Sequence, residues 1–238
     1  MRLSLPTAVV FAALLPLAVL GCASGPSAAP ATGASSTAAA PTSADPDAGL
    51  ATGTQLKAAL AQHAYFPTGF AQEASATRDT GDAYQQQTTT APAKPDCTLL
   101  GGTGWFTISG ISGVSFAKAT YVDKATSAEQ DEEIFAYSGD SATAELSAVG
   151  SIAKTCPTYT DAQTHSPVKV TEAAASGLGE AGYTITLTDS AWQSGSTLQA
   201  SKVGSDIVFV YSTSGPKNGA TDATKLSAYV VSKLKALR

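Results

Sequence analysis

The chain is poor in the residues from which enzymes most often build reactive sites. Its 238 residues include only two histidines, His63 and His165, which lie far apart and lack the spacing of metal ligands. It contains no Gly-x-Ser-x-Gly, His-Glu-x-x-His or phosphate-loop motif. We therefore expect a protein that is not an enzyme and that has no catalytic, cofactor-binding or metal-binding residues.

Charge is also scarce, because Asp, Glu, Lys and Arg make up 14% of the chain and the formal net charge is −5. No basic stripe is present, which argues against a nucleic-acid partner and against electrostatic docking on anionic lipid. The densest run of charge is Asp131–Glu133. The sequence predicts a solvated turn there at the start of a strand, with a calcium site as the alternative.

The first residues have the pattern of an export signal. One cation, Arg2, precedes an apolar run over residues 7–20, so the sequence predicts a signal peptide over residues 1–21. The alternative is a membrane-spanning helix, which needs roughly 20 residues. Pro6 and Pro16 weaken that alternative because interior prolines remove helical hydrogen bonds.

The stretch Val19-Leu20-Gly21-Cys22 resembles the lipobox of bacterial lipoproteins. In that class the cysteine thiol receives a diacylglyceryl group and becomes the mature N-terminus. The resemblance therefore implies lipidation of Cys22, with the membrane as a partner and the outer face of the cell membrane as the location. Each buried methylene contributes about 0.8 kcal/mol, so two or more acyl chains hold a protein firmly.

The cysteine count fits this interpretation. The chain has three cysteines, and if Cys22 carries lipid, Cys97 and Cys156 remain as a pair for an oxidising compartment. The alternative is two buried free thiols. With no Cys-x-x-Cys spacing and no nearby histidine, the two form a poor zinc site.

A tether and one domain follow the lipidated cysteine. Residues 23–48 are Ala, Ser, Thr, Gly or Pro except for Asp45 and Asp47, so residues 22–48 are expected to be a disordered linker. Residues 49–238 are enough for one domain with its own core. Strand patterns appear at 114–122, 133–138, 168–170, 183–188, 196–203 and 206–213, with 207–211 apolar on both faces as in a central strand, and helical spacing appears at 54–62, 141–155 and 222–237.

This order predicts an α+β domain with a mainly antiparallel twisted sheet and helices packed on one side. The last two predicted strands form a hairpin across Gly204-Ser205. Residues 64–92 are polar and are expected to be irregular. Trp105, after the glycine-rich stretch 101–104, is expected to reach the core.

The stretch Gly177–Gly182, "GLGEAG", fits the fingerprint Gly-x-Gly-x-x-Gly of dinucleotide-binding proteins. That fingerprint leaves a strand and opens a helix whose N-terminus faces the phosphates. Here it is followed by the alternating residues 183–188, which predict a strand. We therefore expect a turn that uses glycine at positive φ, and no nicotinamide cofactor.

Two short motifs nevertheless resemble a known family. The stretches 176–181 and 202–210, together with Cys156 after a helix and a closing amphipathic helix, are similar to the extracellular sensor domain of PknH-type kinases and related actinobacterial lipoproteins. The similarity covers roughly residues 95–238. It departs from the family in two ways. This chain can form one disulfide where two are common. In the hairpin, Lys202 stands at the position of the family's usual basic residue and Ser205 at the position of its asparagine. It implies an α+β domain with a cleft for an unidentified envelope ligand, and it transfers no catalytic residue.

Trp192 is the one aromatic residue expected at a hairpin tip, where it either caps the end of the sheet or belongs to a recognition surface. We expect an extracytoplasmic, membrane-anchored binding module whose partner is an unidentified envelope ligand or protein. One alternative is an envelope hydrolase that uses a serine, His165 and an acid. Another is a structural partner of a second envelope protein.

Overall fold

A computed structural model describes residues 47–90, 94–101, 104 and 108–238. The predicted signal peptide, Cys22 and most of the predicted linker lie outside these residues, and so does Trp105. The predictions made for them are therefore not addressed by the described structure.

Nine strands form one sheet, and every described neighbouring pair is antiparallel. Their order across the sheet is β1-β3-β4-β9-β8-β7-β6-β5, and β2 pairs with β3 beside β1. The strands are β1 Phe70–Gln72, β2 Arg78–Asp79, β3 Ser115–Asp123, β4 Ala128–Ala136, β5 Thr158–Thr160, β6 Pro167–Ala174, β7 Ala181–Thr188, β8 Ser196–Val203 and β9 Asp206–Ser212.

The helices of the described residues are short except for the last. Thr52 and Gln55 begin the first with a capping box, in which each side chain binds the other residue's backbone N–H. The helices are α1 Gly53–Ala59, α2 Ser141–Val149, α3 Ile152–Thr155 and α4 Ala220–Ala236, with 3₁₀ turns η1 His63–Tyr65 and η2 Cys97–Gly101. The predicted α+β class with a mainly antiparallel sheet is confirmed.

The helices lie on both faces of the sheet, which corrects the expectation that they pack on one side. Every residue of β9 is buried. Val208 and Val210 face a cluster that includes α1 and α4, whereas Ile207 and Phe209 face a second cluster that includes α2. Because successive side chains of a strand point to opposite faces, a strand that is apolar from Ile207 to Tyr211 needs cover on both.

Two further differences from the sequence-based expectations have local causes. The predicted helix 141–155 is interrupted between α2 and α3. At the interruption, a Cβ on Gly150 would lie 2.3 Å from the Tyr183 ring, so the chain approaches β7 too closely for any larger residue. The segment 64–92 is not wholly irregular, because β1 and β2 both pair with β3.

Candidate functional site

The direction of the strands sorts the loops into two ends of the sheet. The β3–β4 turn, the β5–β6 loop, the β7–β8 loop and the segment after β9 meet at one end, which we call the groove end. The β6–β7 and β8–β9 turns meet at the opposite end, which we call the clamped end. Binding residues commonly lie on loops that a rigid scaffold positions, so both ends are candidates.

At the groove end lies an open cavity of about 770 Å³, which we call the Trp192 groove. This volume falls within the range of about 300–1,000 Å³ that is usual for ligand sites. Each loop of this end contributes to it, and so do β1 and the first turn of α4. The side chains that matter below are Gln163, Trp192, Gln193, Ser194, Asp123 and Asp222.

The loop that carries Trp192 is held by its own backbone and by Asp189. The Trp192 N–H donates to the Asp189 carbonyl oxygen at 3.2 Å, and the Ala191 N–H donates to the Asp189 carboxylate at 2.8 Å. The half-buried indole packs against the cluster on the α2 face and also lines the groove. Both sequence-based interpretations of Trp192 are therefore compatible with its position.

The neighbouring β5–β6 loop is organised by Asp161 and joined to the Trp192 loop. The Asp161 carboxylate accepts hydrogen bonds from the N–H groups of Gln163 and Thr164 at 2.9 and 2.6 Å. The Ser166 hydroxyl donates to the Asp189 carboxylate. Both carboxyls have a lowered pKa, and backbone N–H donors are the main cause. The N–H of Thr164 lowers the pKa of Asp161, and the N–H of Ala191 lowers the pKa of Asp189. The two loops are thus stabilised when these groups are ionised.

The carboxylates on the other side of the groove already have partners inside the protein. Asp123 accepts hydrogen bonds from the Ala125 N–H and the Thr126 hydroxyl, both at 2.9 Å, and so closes the β3–β4 turn. Asp222 accepts from the Ser214 hydroxyl at 3.1 Å. By contrast, the side-chain amides of Gln163 and Gln193 and the Ser194 hydroxyl have no hydrogen-bond partner among the described residues, so they are free to bind a ligand.

The histidines do not assemble with a nucleophile in the described part of the chain. His165 is exposed at the tip of the β5–β6 loop, with φ of 57°. The adjacent Ser166 hydroxyl donates to Asp189, not to the imidazole. His63 is also exposed, and its Nε2 lies 2.9 Å from the Phe70 carbonyl oxygen. Within the described ranges, no three His, Cys, Asp or Glu side chains are grouped to hold a metal.

The run Asp131–Glu133 is buried within β4, which corrects the prediction of a solvated turn. The three residues are only 3%, 0% and 2% exposed. Glu132 lies on the α4 face, where the Ala61 N–H donates to its Oε2 at 2.9 Å, and burial raises its pKa to about 8. Glu133 faces the other way and lies 3.2 Å from Lys118 Nζ. Burial and the nearby Glu129 raise the pKa of Asp131.

These buried carboxyls could not be recognised from local sequence, because three consecutive acidic residues usually lie in solvent. The signal that could have revealed their burial was the strand with which they pair, β3. Residues 114–122 read as a strand, and a neighbouring strand of equal length would include Asp131–Glu133. Glu145 on α2 is a further case, since burial raises its pKa to about 7.

The clamped end contains the glycine-rich motif. As predicted, the motif leads into a strand, β7, and Gly177 and Gly179 have φ of 81° and 65°. Glu180 lies 2.8 Å from Lys202 Nζ and accepts a hydrogen bond of 2.8 Å from the Gly204 N–H, so the motif fastens the β6–β7 turn to the β8–β9 turn.

The rest of the clamped end is held by a second ion pair, in which Arg238 Nη2 lies 2.7 Å from the buried Asp206 carboxylate. A cavity of about 720 Å³ lies beside this pair, and Leu50 and Leu237 also line it. Its charged side chains neutralise each other. Asp206 Oδ1 has no hydrogen-bond partner among the described residues, so this cavity differs from the Trp192 groove mainly in that its described lining contains no aromatic side chain.

Cys97 and Cys156 form the expected pair, with their Cα atoms 5.6 Å apart and a sequence separation of 59 residues. The Cα separation is typical of a disulfide. The bond connects η2 with the residue that follows α3. The structure thus supports the disulfide interpretation of these two cysteines over the alternative of two free thiols.

The comparisons with known proteins give no family. No protein-family model matches the chain, and no curated protein matches it. The resemblance to PknH-type sensor domains therefore stays a prediction. In the described part of the chain, no helix has the length and apolar character needed to cross a membrane.

Proposed function

We propose that this protein is a membrane-anchored, extracytoplasmic binding module without catalytic turnover, and that its ligand occupies the Trp192 groove. The observation that carries the proposal is the groove itself. It brings together a half-buried indole and amide and hydroxyl groups that have no partner among the described residues. Ligand sites commonly combine an aromatic side chain with a small number of polar groups that fix the ligand's orientation.

The sequence supports the location. The apolar leader that ends at Cys22 has the lipobox pattern, and the paired cysteines Cys97 and Cys156 suit an oxidising compartment. A tether rich in Ala, Ser, Thr and Pro would hold the domain away from the lipid. A flexible coil of this length spans on the order of 30 Å.

The hydrolase alternative has less support. It requires His165 to lie against a serine or carboxylate in a cleft, but this imidazole is exposed and the adjacent Ser166 hydroxyl donates to Asp189. No observation in the described residues favours catalysis over binding.

Photo-crosslinking in intact cells tests the binding proposal. A photoreactive amino acid replaces the exposed Ser194 of the groove, and in a matched control it replaces the exposed Gln86 outside the groove. We expect a discrete adduct from position 194 and none from position 86. Equal labelling at both positions, or no adduct at either, would contradict the proposal.

The anchor is tested separately with Cys22→Ser. Loss of the acyl acceptor should move the protein from the membrane fraction to the soluble fraction or the medium, because the lipid supplies the attachment. Mass spectrometry of the wild-type N-terminus should show a diacylglyceryl cysteine. An unmodified leader that remains attached to the membrane-bound protein would contradict this part of the proposal.

A further inference from the structure

We infer that the ligand of the Trp192 groove is an uncharged oligosaccharide, an inference that rests on the binding function proposed above. The charges of the groove are the first reason. Its described lining contains Asp123 and Asp222 and no lysine, arginine or histidine. A phosphate, sulfate or carboxylate ligand would meet two like charges and no cation, which disfavours anionic ligands.

The same two carboxylates are poorly suited to capture a cation. Asp123 is engaged by the β3–β4 turn and Asp222 by the Ser214 hydroxyl. Lys225 Nζ also lies 3.9 Å from Asp222, which partly offsets its charge. The charges of the groove therefore disfavour anionic ligands and only weakly favour cationic ones. An uncharged ligand fits these charges best.

The free polar groups define the second property of the ligand. The amides of Gln163 and Gln193 each offer two donors and one acceptor oxygen, and the Ser194 hydroxyl offers both functions. A ligand that satisfies them needs many groups that can both donate and accept. Each hydroxyl group of a sugar ring can both donate and accept hydrogen bonds. A site built to bind hydroxyls also discriminates strongly against analogues that lack them.

The indole of Trp192 supplies the third element. Its packing against the cluster on the α2 face and the hydrogen bonds at Asp189 limit its movement, and part of the ring remains accessible. A flat aromatic surface with polar groups around it suits a pyranose or furanose ring, because such a ring has an apolar C–H face and a hydroxylated rim. The cavity of about 770 Å³ is large enough for a short oligosaccharide.

The test uses the full-length protein, purified in detergent with its disulfide intact. It is applied to an array of neutral gluco-, manno-, galacto-, arabino- and N-acetylglucosamine oligosaccharides. Sulfated and uronic-acid counterparts form the matched anionic arm. We expect binding to one or more neutral members and weaker binding to their anionic counterparts. Titration calorimetry then measures the affinity of the best neutral oligosaccharide.

Three variants locate the site. Trp192→Ala should weaken binding by about tenfold or more, because aromatic anchors dominate recognition energies. The paired change Gln163→Ala and Gln193→Ala alters exposed side chains and should weaken binding with the fold intact, as circular dichroism will show. Gln86→Ala, an exposed glutamine outside the groove, should leave the affinity unchanged.

The outcomes separate this inference from the function on which it rests. A crosslinked adduct at position 194 that contains no sugar, together with no binding on the array, would overturn the oligosaccharide but leave the binding module standing. Preferential binding of anionic members, or equal binding by wild type and the double glutamine variant, would also overturn it. Absence of both adduct and array binding would remove both proposals.

Discussion

The two ends of the sheet are built with different chemistry. At the clamped end, Glu180 pairs with Lys202 and Asp206 pairs with Arg238, so the charged groups there are used up within the protein. At the groove end, the loops are joined by hydroxyl and backbone N–H groups, and several amides and hydroxyls have no partner among the described residues. One end therefore uses ion pairs to hold its turns together, whereas the other presents uncharged amides and hydroxyls to a ligand.

This difference shows why the more conspicuous sequence motif is not the better site. The glycines of "GLGEAG" serve close approach, since a Cβ on Gly179 would lie 2.2 Å from the Lys202 carbonyl oxygen. The groove end, by contrast, has no motif in the linear sequence. Its residues become neighbours only because four loops meet at one end of an antiparallel sheet.

A large effect is expected from breaking the covalent link near the groove end. The disulfide secures η2 close to β5, the strand that leads into the Asp161 loop. Reduction should lower the free energy of unfolding by about 4 kcal/mol, because the bond closes a long loop of the unfolded chain. Urea unfolding with and without reductant measures this. The double variant Cys97→Ala and Cys156→Ala should show the lowered stability and no response to reductant.

The clamped end is probed by a pair of glycine substitutions. Gly179→Ala should lower the free energy of unfolding by about 3 kcal/mol, because it combines positive φ with a steric clash against the β8–β9 hairpin. Gly177→Ala is the matched control. It also has positive φ but no heavy atom within 4 Å, and it should cost about 1 kcal/mol. Equal losses of stability would show that the close approach at Gly179 is unimportant.

A third prediction concerns the middle of the sheet, where buried carboxyls belong to neither end. Burial raises the pKa of Glu132 from 4.5 to about 8, so between these values the folded state holds a proton that the unfolded state has released. Unfolding in this pH range therefore releases that proton. As a result, the stability that Glu132 contributes falls by about 1.4 kcal/mol for each unit by which the pH rises through this window. Above pH 8 this contribution should be constant.

The matched variant for this prediction is Glu132→Gln, which keeps an acceptor for the Ala61 N–H but cannot ionise. Denaturant unfolding from pH 5 to pH 9 should show that the variant gains stability relative to wild type as pH rises to about 8. A constant difference between the two proteins over this range would show that Glu132 does not retain its proton in the folded state.

The smallest effect should be local to the groove end. Asp189→Asn weakens the link between the two loops, so the Ala191 amide should exchange its hydrogen faster while the midpoint of thermal unfolding changes little. With Trp105→Phe as background, the remaining indole of Trp192 should also report greater exposure by its fluorescence. Glu180→Gln at the clamped end is the control, and it should leave both signals unchanged.

Sequence reasoning succeeded where the signal is local. The β8–β9 hairpin follows from strand patterns on both sides of Gly204-Ser205, and its register across the turn agrees with the prediction. The disulfide followed from cysteine arithmetic and the expected compartment. The strand after "GLGEAG" followed from the alternation of residues 183–188.

Sequence reasoning failed where the outcome depends on distant partners. Burial of Glu132 requires α1, β3 and β9 to close over β4, and the Ala61 N–H that binds it lies 71 positions earlier. The break between α2 and α3 depends on Tyr183 of another strand. Trp192 was singled out, but Gln163, Gln193 and Asp222 were not, because nothing in their local sequence differs from an ordinary surface loop.

The amino-acid pattern alone determined the α+β class and the β8–β9 hairpin, because periodicity and turn chemistry act over a few residues. Only the tertiary structure decided which face of the sheet each helix covers, which carboxyls are buried away from solvent and which loops lie at the same end of the sheet. Burial and proximity are collective properties of the packed chain, so residues far apart in sequence set them together.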